Sequence, residues 1–292
     1  MKLICPNKSI FSDWIKLKIQ KKFDCKIEDL NEKNFNKEAH NYEIVLLRAK
    51  SFLKYKVNSK IRYILSPTTG LNHIDEKFLK SKKIKLFSLK NEFNFLKKVN
   101  ATVEFTIYLF LYSVRYNQLN KLNRKNINKL GIEINKKKVG IIGNGRIGKK
   151  VIQILKSLGA EIIVYEIKKH DKKQLKKLLT ECDIISLHIP LQNNYNFMDN
   201  KKINLIKHGC RIINTSRGEI FNEKALVSAI KEKKISYFTD VLSNENLFDK
   251  SPLMKLKQNF YYTRHIGGLT KESVELTDKF IYKNFIKLYE KN

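Results

Sequence analysis

Acidic residues are scarce in this chain: 28 Asp and Glu face 59 Lys and Arg over 292 residues, a formal net charge of +31. The excess forms no separate basic tail, because residues 1–100 hold 23 basic and 10 acidic side chains and the remainder holds 36 and 18. Arginine is scarce as well, with eight residues against 29 Asn. Recognition of phosphates and bases leans on Arg forks, so compositional drift toward Lys, Asn and Ile accounts for the charge better than a nucleic-acid footprint does. A positive field still attracts anionic ligands, whatever its origin. Cysteine is limited to Cys5, Cys25, Cys182 and Cys210, with no C-x-x-C pair. That spacing argues against a zinc knuckle or a disulfide scaffold, and no metal is expected. The start, MKLICPNKSIFSDWIKLK, lacks the continuous apolar core of a signal peptide, and the longest apolar stretch, around Ile107–Val114, is too short to span a bilayer. A soluble cytoplasmic protein without a membrane partner is the expectation. With 42% hydrophobic and 11% aromatic residues, the chain can bury a core, and its length suits two domains.

Short β-rich runs alternate with amphipathic stretches. Strands are expected at Leu3–Cys5, Glu43–Leu47, Arg62–Leu65 and Ile84–Phe87. Later candidates are Val139–Ile142, Glu161–Tyr165, Asp183–Leu187, Arg211–Asn214, Ser236–Thr239 and Phe260–Thr263. The later runs are rich in Ile and Val and apolar on both faces, as buried parallel strands require. The alternation predicts an α/β protein with right-handed crossovers. Asn117–Lys138 is polar and reads as a connector. The helix before it, Val103–Tyr116, is apolar on most faces and must be buried, in the core or in a subunit interface.

The run KKVGIIGNGRIGKKVIQILKSLGAEIIVYE carries the most local chemistry. A strand leads into Gly143-Asn144-Gly145-Arg146-Ile147-Gly148, then a helix and a second strand. Gly143 permits the tight turn, Gly145 a close backbone approach to a pyrophosphate, and Gly148 close helix–strand packing. The helix N-terminus offers N–H groups and a positive dipole end to phosphates. Glu166 follows the second strand, 18 residues after Gly148. A carboxylate there accepts hydrogen bonds from ribose hydroxyls and repels a 2′-phosphate, which favours NAD over NADP, although Lys168 and Lys169 soften the repulsion.

Three further segments bring groups suited to hydride-transfer chemistry. Arg217 follows the strand Arg211–Asn214, acids follow Ser236–Thr239, and His265 stands between Phe260–Thr263 and Gly267-Gly268. Oxidising a 2-hydroxy acid requires a cation for its carboxylate and a base for its hydroxyl proton. Arg217 suits the first role, His265 the second, and Glu245 can fix the imidazole tautomer. Taken singly, each also reads as a surface Arg, a strand-end acid or a satisfied loop His.

Together, GIIGNGRIG, Asp183-Ile-Ile-Ser-Leu-His188-Ile-Pro190-Leu191, Ile213-Asn-Thr-Ser-Arg217-Gly218, Asp240-Val and His265-Ile-Gly-Gly resemble the D-isomer-specific 2-hydroxyacid dehydrogenases. The likeness is strongest from Gly131 to Val274 and is traceable from about Tyr42. It implies a Rossmann-type parallel-sheet NAD domain (99–269) and a smaller flavodoxin-like substrate or lid domain (1–98 with 270–292), closing on a cleft. It implies a homodimer in which the Val103–Tyr116 helix is an interface element. It also implies an NAD-dependent enzyme interconverting a D-2-hydroxy acid and its 2-oxo acid, with phosphoglycerate-like acids among the candidates. Carried over by position, Arg217, Glu245 and His265 match the catalytic trio, and Asp240 the acid that contacts the nicotinamide amide. His188 and Pro190 match a loop near the cofactor, Thr215 and Ser216 flank its side of Arg217, and Gly267 and Gly268 belong to the cofactor set with Gly143, Gly145, Arg146, Ile147, Gly148 and Glu166. Thr69, Gly70 and Leu71, within Ser66–Asp75, match the loop whose N–H groups hold the substrate carboxylate.

The chain departs from the family pattern at Asn246 and Arg264, where the family usually carries Pro. Asn117–Asn135 is short and lacks the Trp often found there. The 24 residues after Gly268 suggest no appended regulatory domain. The alternative reading is a non-catalytic, NAD-sensing corepressor on the same fold. Among the remaining residues, His40, His170 and His208 read as solvated, Cys182 and Cys210 as small core residues, and Lys168–Lys177 as a solvated helix face.

Overall fold

A computed structural model describes residues 1–48, 53, 59–119, 130–232, 235–243 and 245–291. Part of the expected connector, 120–129, and Asn244 lie outside the described residues. The chain forms two compact units, Met1–Asn100 with Leu269–Asn292, and Ala101–Gly268.

The first unit is a parallel sheet of β1 (Lys2–Cys5), β2 (Asp24–Ile27), β3 (Ile44–Leu46), β4 (Tyr63–Ser66) and β5 (Lys85–Ser88), in the order β2-β1-β3-β4-β5. That is the flavodoxin-like order. The connecting helices are α1 (Asp13–Gln20), α2 (Glu32–Glu38), α3 (Glu76–Ser81) and α4 (Phe93–Leu96). Polar caps start them where the sequence offers a short acceptor. Ser12, Asn31 and Asp75 accept backbone N–H groups at the starts of α1, α2 and α3. Alternate strand residues feed opposite faces of the sheet. Leu3, Leu46 and Leu65 pack with Ile281 and Phe285 of the C-terminal helix Lys271–Tyr289, whereas Ile4, Val45 and Ile64 pack with Phe35 and Leu79.

The second unit holds β6 (Lys138–Ile142), β7 (Glu161–Tyr165), β8 (Ile184–Leu187), β9 (Arg211–Asn214), β10 (Ser236–Thr239) and β11 (Phe260–Tyr262). All pairs are parallel, in the order β11-β10-β9-β8-β6-β7. Its helices are α5 (Ala101–Leu119), α6 (Arg146–Ser157), α7 (Lys172–Glu181), α8 (Asn200–Asn204) and α9 (Glu223–Glu232); the C-terminal helix of the first unit is therefore α10. Val139, Ile141, Ile213 and Phe238 face α5 and α6 residues such as Phe110 and Leu155. Ile142, Ile185 and Ile212 face Leu178, Ile203 and Leu226 of α7, α8 and α9. The sheet is covered on both sides, as an all-parallel sheet demands.

β2 and the burial of His40 depart from the sequence expectations. The strand β2 was not anticipated; its residues Asp24-Cys25-Lys26-Ile27 are only partly buried and carry no apolar run. His40 is buried at 7% exposure rather than solvated. It lies in a single 3-10 turn after α2, and its carbonyl accepts the Lys60 N–H at 3.0 Å, which ties the turn to the segment before β4. Among the described residues, no helix is long and apolar enough to cross a membrane.

Candidate active site

The strand order of the second unit reverses between β6 and β8, and open α/β sheets bind ligands outside the carboxyl ends at such a reversal. Gly143 follows β6 with φ +100°, a conformation L side chains rarely adopt, and a Cβ there would lie 2.6 Å from the His188 carbonyl oxygen. The loops after β6 and β8 thus touch. A Cβ on Gly148 would meet the Gly143 carbonyl oxygen at 2.1 Å, whereas a Cβ on Gly145 would meet nothing within 4 Å. Packing explains the first and last glycines of the motif; the middle one faces open space, as an approaching pyrophosphate needs. Helix α6 begins directly after Gly145 with no side-chain cap, so its first-turn donors suit an anion. Arg146 and Ile147 lie half-buried in that turn, and burial lowers the Arg146 guanidinium from its ordinary value.

Glu166, just past β7, accepts the Asn144 N–H on Oε2 at 2.8 Å, which ties the acid to the glycine loop. His170 is half-buried, and its Nδ1 accepts the Glu166 N–H at 2.9 Å. His188 Nε2 lies 3.0 Å from Ser186 Oγ, and burial pushes the imidazole down to about 4. Pro190 is exposed, with its carbonyl accepting Asn194 Nδ2 at 2.8 Å. These groups fit a dinucleotide: uncapped donors for the phosphates, open space at Gly145 and a fixed acid after the second strand.

The turn after β9 is shaped by Asn214, fully buried, a residue whose role the sequence did not reveal. Its Oδ1 accepts Ser216 N and Oγ at 3.0 and 2.7 Å, and its Nδ2 donates to the Arg217 carbonyl at 3.0 Å. Thr215 Oγ1 is 2.9 Å from Thr106 Oγ1 on α5. Arg217 is half-buried, and burial lowers its guanidinium against the fields of Glu245 and Glu219. Nη1 donates to the Ser216 carbonyl at 2.6 Å, and no carboxylate among the described residues lies within ion-pair distance. The remaining guanidinium donors are available to an anionic ligand. Gly218 makes this turn possible, because a Cβ there would fall 2.1 and 2.2 Å from Leu242 C and Ser243 N.

Ser243 leads to the 3-10 stretch that begins at Glu245, and Glu245 Oε2 lies 2.8 Å from His265 Nδ1. His265 has φ +53°, held by its N–H donating to the Asp240 and Thr263 carbonyls at 2.8 and 3.1 Å. The Asp240 carboxylate fixes the same turn, accepting Thr263 Oγ1 at 2.6 Å, Ile266 N at 2.8 Å and Gly267 N at 2.7 Å. Burial raises the Asp240 carboxyl despite these donors. A Cβ on Gly267 would crowd Asp240 Oδ2 at 2.8 Å, whereas one on Gly268 would meet only Thr102 Oγ1 at 3.9 Å. Arg264 is exposed.

In the first unit, Ser66 closes β4 and its hydroxyl bonds Thr68 Oγ1 and His73 Nε2 at 2.9 and 3.1 Å. Thr69 is exposed, Gly70 half-buried, and Leu71 is buried in the core. The N–H groups of Thr69, Gly70 and Leu71 donate to no other described residue, while Thr68 Oγ1 donates to the Gly70 carbonyl at 3.1 Å and Ile74 N to the Leu71 carbonyl at 2.9 Å. Successive open backbone donors of this kind suit an anion.

An uncapped helix N-terminus at a sheet's switch point, in one unit with an imidazole–carboxylate pair and an arginine that has no ion-pair partner among the described residues, is the equipment of a nicotinamide-dependent oxidoreductase. The sequence profile of the D-isomer specific 2-hydroxyacid dehydrogenase NAD binding domain matches residues 109–267. The chain belongs to this family, and it is an NAD-dependent oxidoreductase that interconverts D-2-hydroxy acids and 2-oxo acids. It is similar to erythronate-4-phosphate dehydrogenase of Wigglesworthia glossinidia brevipalpis, 31% identical over 93% of this chain and 69% of the relative. It is likewise 31% identical to an aromatic 2-oxoacid reductase of Clostridium sporogenes, over 73% of this chain and 71% of the relative. Among solved structures, D-lactate dehydrogenase from Aquifex aeolicus complexed with NAD and lactic acid shares the fold, with TM-score 0.77, 23% identity and coverage of 98% and 96% of the two chains.

Proposed function

We propose that Arg217, Glu245 and His265 carry the reaction, and that the substrate is a small D-2-hydroxy acid bearing a second anionic group. The observation that carries the first part is the 2.8 Å contact of Glu245 Oε2 with His265 Nδ1. A carboxylate there makes Nδ1 the protonated nitrogen and leaves Nε2 for the substrate. Arg217 takes the substrate carboxylate and polarises the C2 oxygen. His265 removes the hydroxyl proton during oxidation and returns it during reduction, while Glu245 offsets the charge of the imidazolium. Gly143–Gly148 would hold the phosphates of NAD and Glu166 its ribose, and NAD would supply the hydride acceptor. Asp240 would face its nicotinamide, and Thr215, Ser216, His188, Pro190, Gly267 and Gly268 would line the rest of the cofactor site. Thr69, Gly70 and Leu71 are proposed as backbone donors to a carboxylate.

The second anionic group is supported by exposed Arg264 beside His265 and by the net charge of +31. The similarity to erythronate-4-phosphate dehydrogenase across 93% of this chain points the same way. A panel of phosphorylated and unphosphorylated 2-oxo acids with NADH, scored by kcat/KM, tests the reading. Phosphorylated acids should lead, and Arg217→Ala should lower kcat/KM on the order of 10³-fold while NADH affinity holds. Preference for an apolar oxo acid refutes the substrate class, and an active Arg217→Ala protein refutes the role.

A homodimer in the cytoplasm completes the proposal. Helix α5 leaves Tyr108 and Leu111 exposed at 43% and 48%, an apolar pair that a second copy would cover. Sedimentation should show a dimer that Leu111→Lys weakens; a monomeric native protein contradicts this interface.

A further inference from the structure

The first unit holds a buried charge cluster that the reaction as described does not use. Its sheet order reverses between β1 and β3, and the crevice at such a reversal is where an open α/β sheet ordinarily takes a ligand. Protein fills it here. Asn7 follows β1, Arg48 follows β3, and Asn7 Oδ1 accepts the Arg48 N–H at 3.2 Å. The Arg48 side chain is 8% exposed and that of Asp278, on α10, is 0% exposed. Arg48 Nη2 donates to Asp278 Oδ1 at 2.8 Å and to Thr277 Oγ1 at 3.3 Å. The other oxygen of Asp278 accepts Ser12 N and Oγ, both at 2.8 Å, at the cap of α1. The Phe11 ring lies 5.0 Å from the guanidinium carbon.

Stability alone is a poor reason to keep such a pair. Burial raises the Asp278 carboxyl and lowers the Arg48 guanidinium despite their mutual attraction, so desolvation outweighs pairing. Apolar side chains of similar volume often fill such a space at no loss. The distinguishing contact is Arg48 Nη1 to the Pro67 carbonyl, at 3.3 Å. Pro67 stands immediately before the loop with unused donors. The Ser66 carbonyl accepts Thr68 N at 2.7 Å, and the Thr68 carbonyl accepts Leu89 N at 3.0 Å. Gly70 and Leu71 carbonyls are held as described above. Pro67 lies between these tethers, and its carbonyl is bonded by a cation from another strand end.

We propose that Arg48 is a positioning residue: anchored by Asp278, it pins the Pro67 carbonyl so that the Thr69, Gly70 and Leu71 N–H groups stay arranged for a substrate carboxylate. The proposal rests on the reading that this loop binds the carboxylate. It couples the C-terminal helix to substrate affinity through one side chain that touches neither substrate nor cofactor.

The test compares wild type with Arg48→Lys, Arg48→Met, the double variant Arg48→Met with Asp278→Leu, and Thr69→Pro, which removes one loop donor. Measurements are kcat and KM for the 2-oxo acid that wild type reduces fastest, NADH affinity by fluorescence, and Tm. Arg48→Met should raise KM about tenfold, the loss of one charge-quality hydrogen bond, with kcat and NADH affinity near wild type. Arg48→Lys should recover part of the loss. The double variant should regain Tm but not KM. If it regains both, the pair is merely structural and the proposal is overturned; an unchanged KM in Arg48→Met overturns it too. A raised KM in Thr69→Pro beside an unchanged one in Arg48→Met defeats positioning alone, whereas an unchanged KM in Thr69→Pro defeats the reading of the loop.

Discussion

A left-handed backbone at a non-glycine residue costs on the order of 1–2 kcal/mol, and His265 bears that cost at φ +53°. Two carbonyls on its N–H and three donors on the Asp240 carboxylate over-determine the turn, so the imidazole is presented to Glu245 by backbone geometry rather than by rotamer choice alone. His188 illustrates a different residue-scale effect. Its imidazole is pushed down from an ordinary 6.5 to about 4 by burial. It is therefore neutral through the neutral range. The unfolded chain binds a proton at this residue between those values while the folded chain does not, so stability is complete above 6.5 and lost as pH falls toward about 4. Thermal melts across that window should show the decline, and His188→Gln should flatten it. An equally steep decline in the variant would assign the acid sensitivity to other groups.

At the scale of elements, the proposed chemistry depends on two loops that lie against each other. The turn after β9 carries Arg217, and the segment after β10 leads to Glu245; they meet at Gly218, where a Cβ would overlap the Leu242–Ser243 peptide. Gly218→Ala should destabilise the protein by about 1–3 kcal/mol and depress kcat more than NADH affinity, since the glycine loop lies after a different strand. Equal losses in both would show that the disturbance spreads through the sheet. Strands such as β8 and β9 were legible because Ile-Ile pairs buried on both faces leave a continuous apolar run. Asp183 and Thr263, expected inside strands, fall just beyond β8 and β11. Edge strand β2 was not legible, because Asp24-Cys25-Lys26-Ile27 alternates too weakly to announce itself. The glycine loop is legible in the sequence, since turn chemistry is local; the trio Arg217, Glu245 and His265 is implied by the family resemblance of the motifs around it. The hydrogen bonds of Asn214 to Tyr237, of Thr106 to Thr215 and of Arg48 to Asp278 join residues 23, 109 and 230 positions apart. No local pattern encodes such pairs; the fold alone brings them together.

At the scale of the whole molecule, the charge of +31 acts as a field rather than a site. A screened field should raise KM for a phosphorylated oxo acid several-fold between about 0.02 and about 0.3 M salt, and that for an uncharged-tail analogue much less. Identical salt responses for the two would confine the electrostatics to the shared carboxylate. The path of the chain has a further consequence. The first unit takes its core from both ends of the sequence: Ile281 and Phe285 of α10 pack with Leu3, Leu46 and Leu65. Asp278 of the same helix neutralises Arg48. The second unit is complete by Gly268. During synthesis it can close its sheet while the first unit still waits, with an open apolar face and an unpaired cation, for α10 to leave the ribosome.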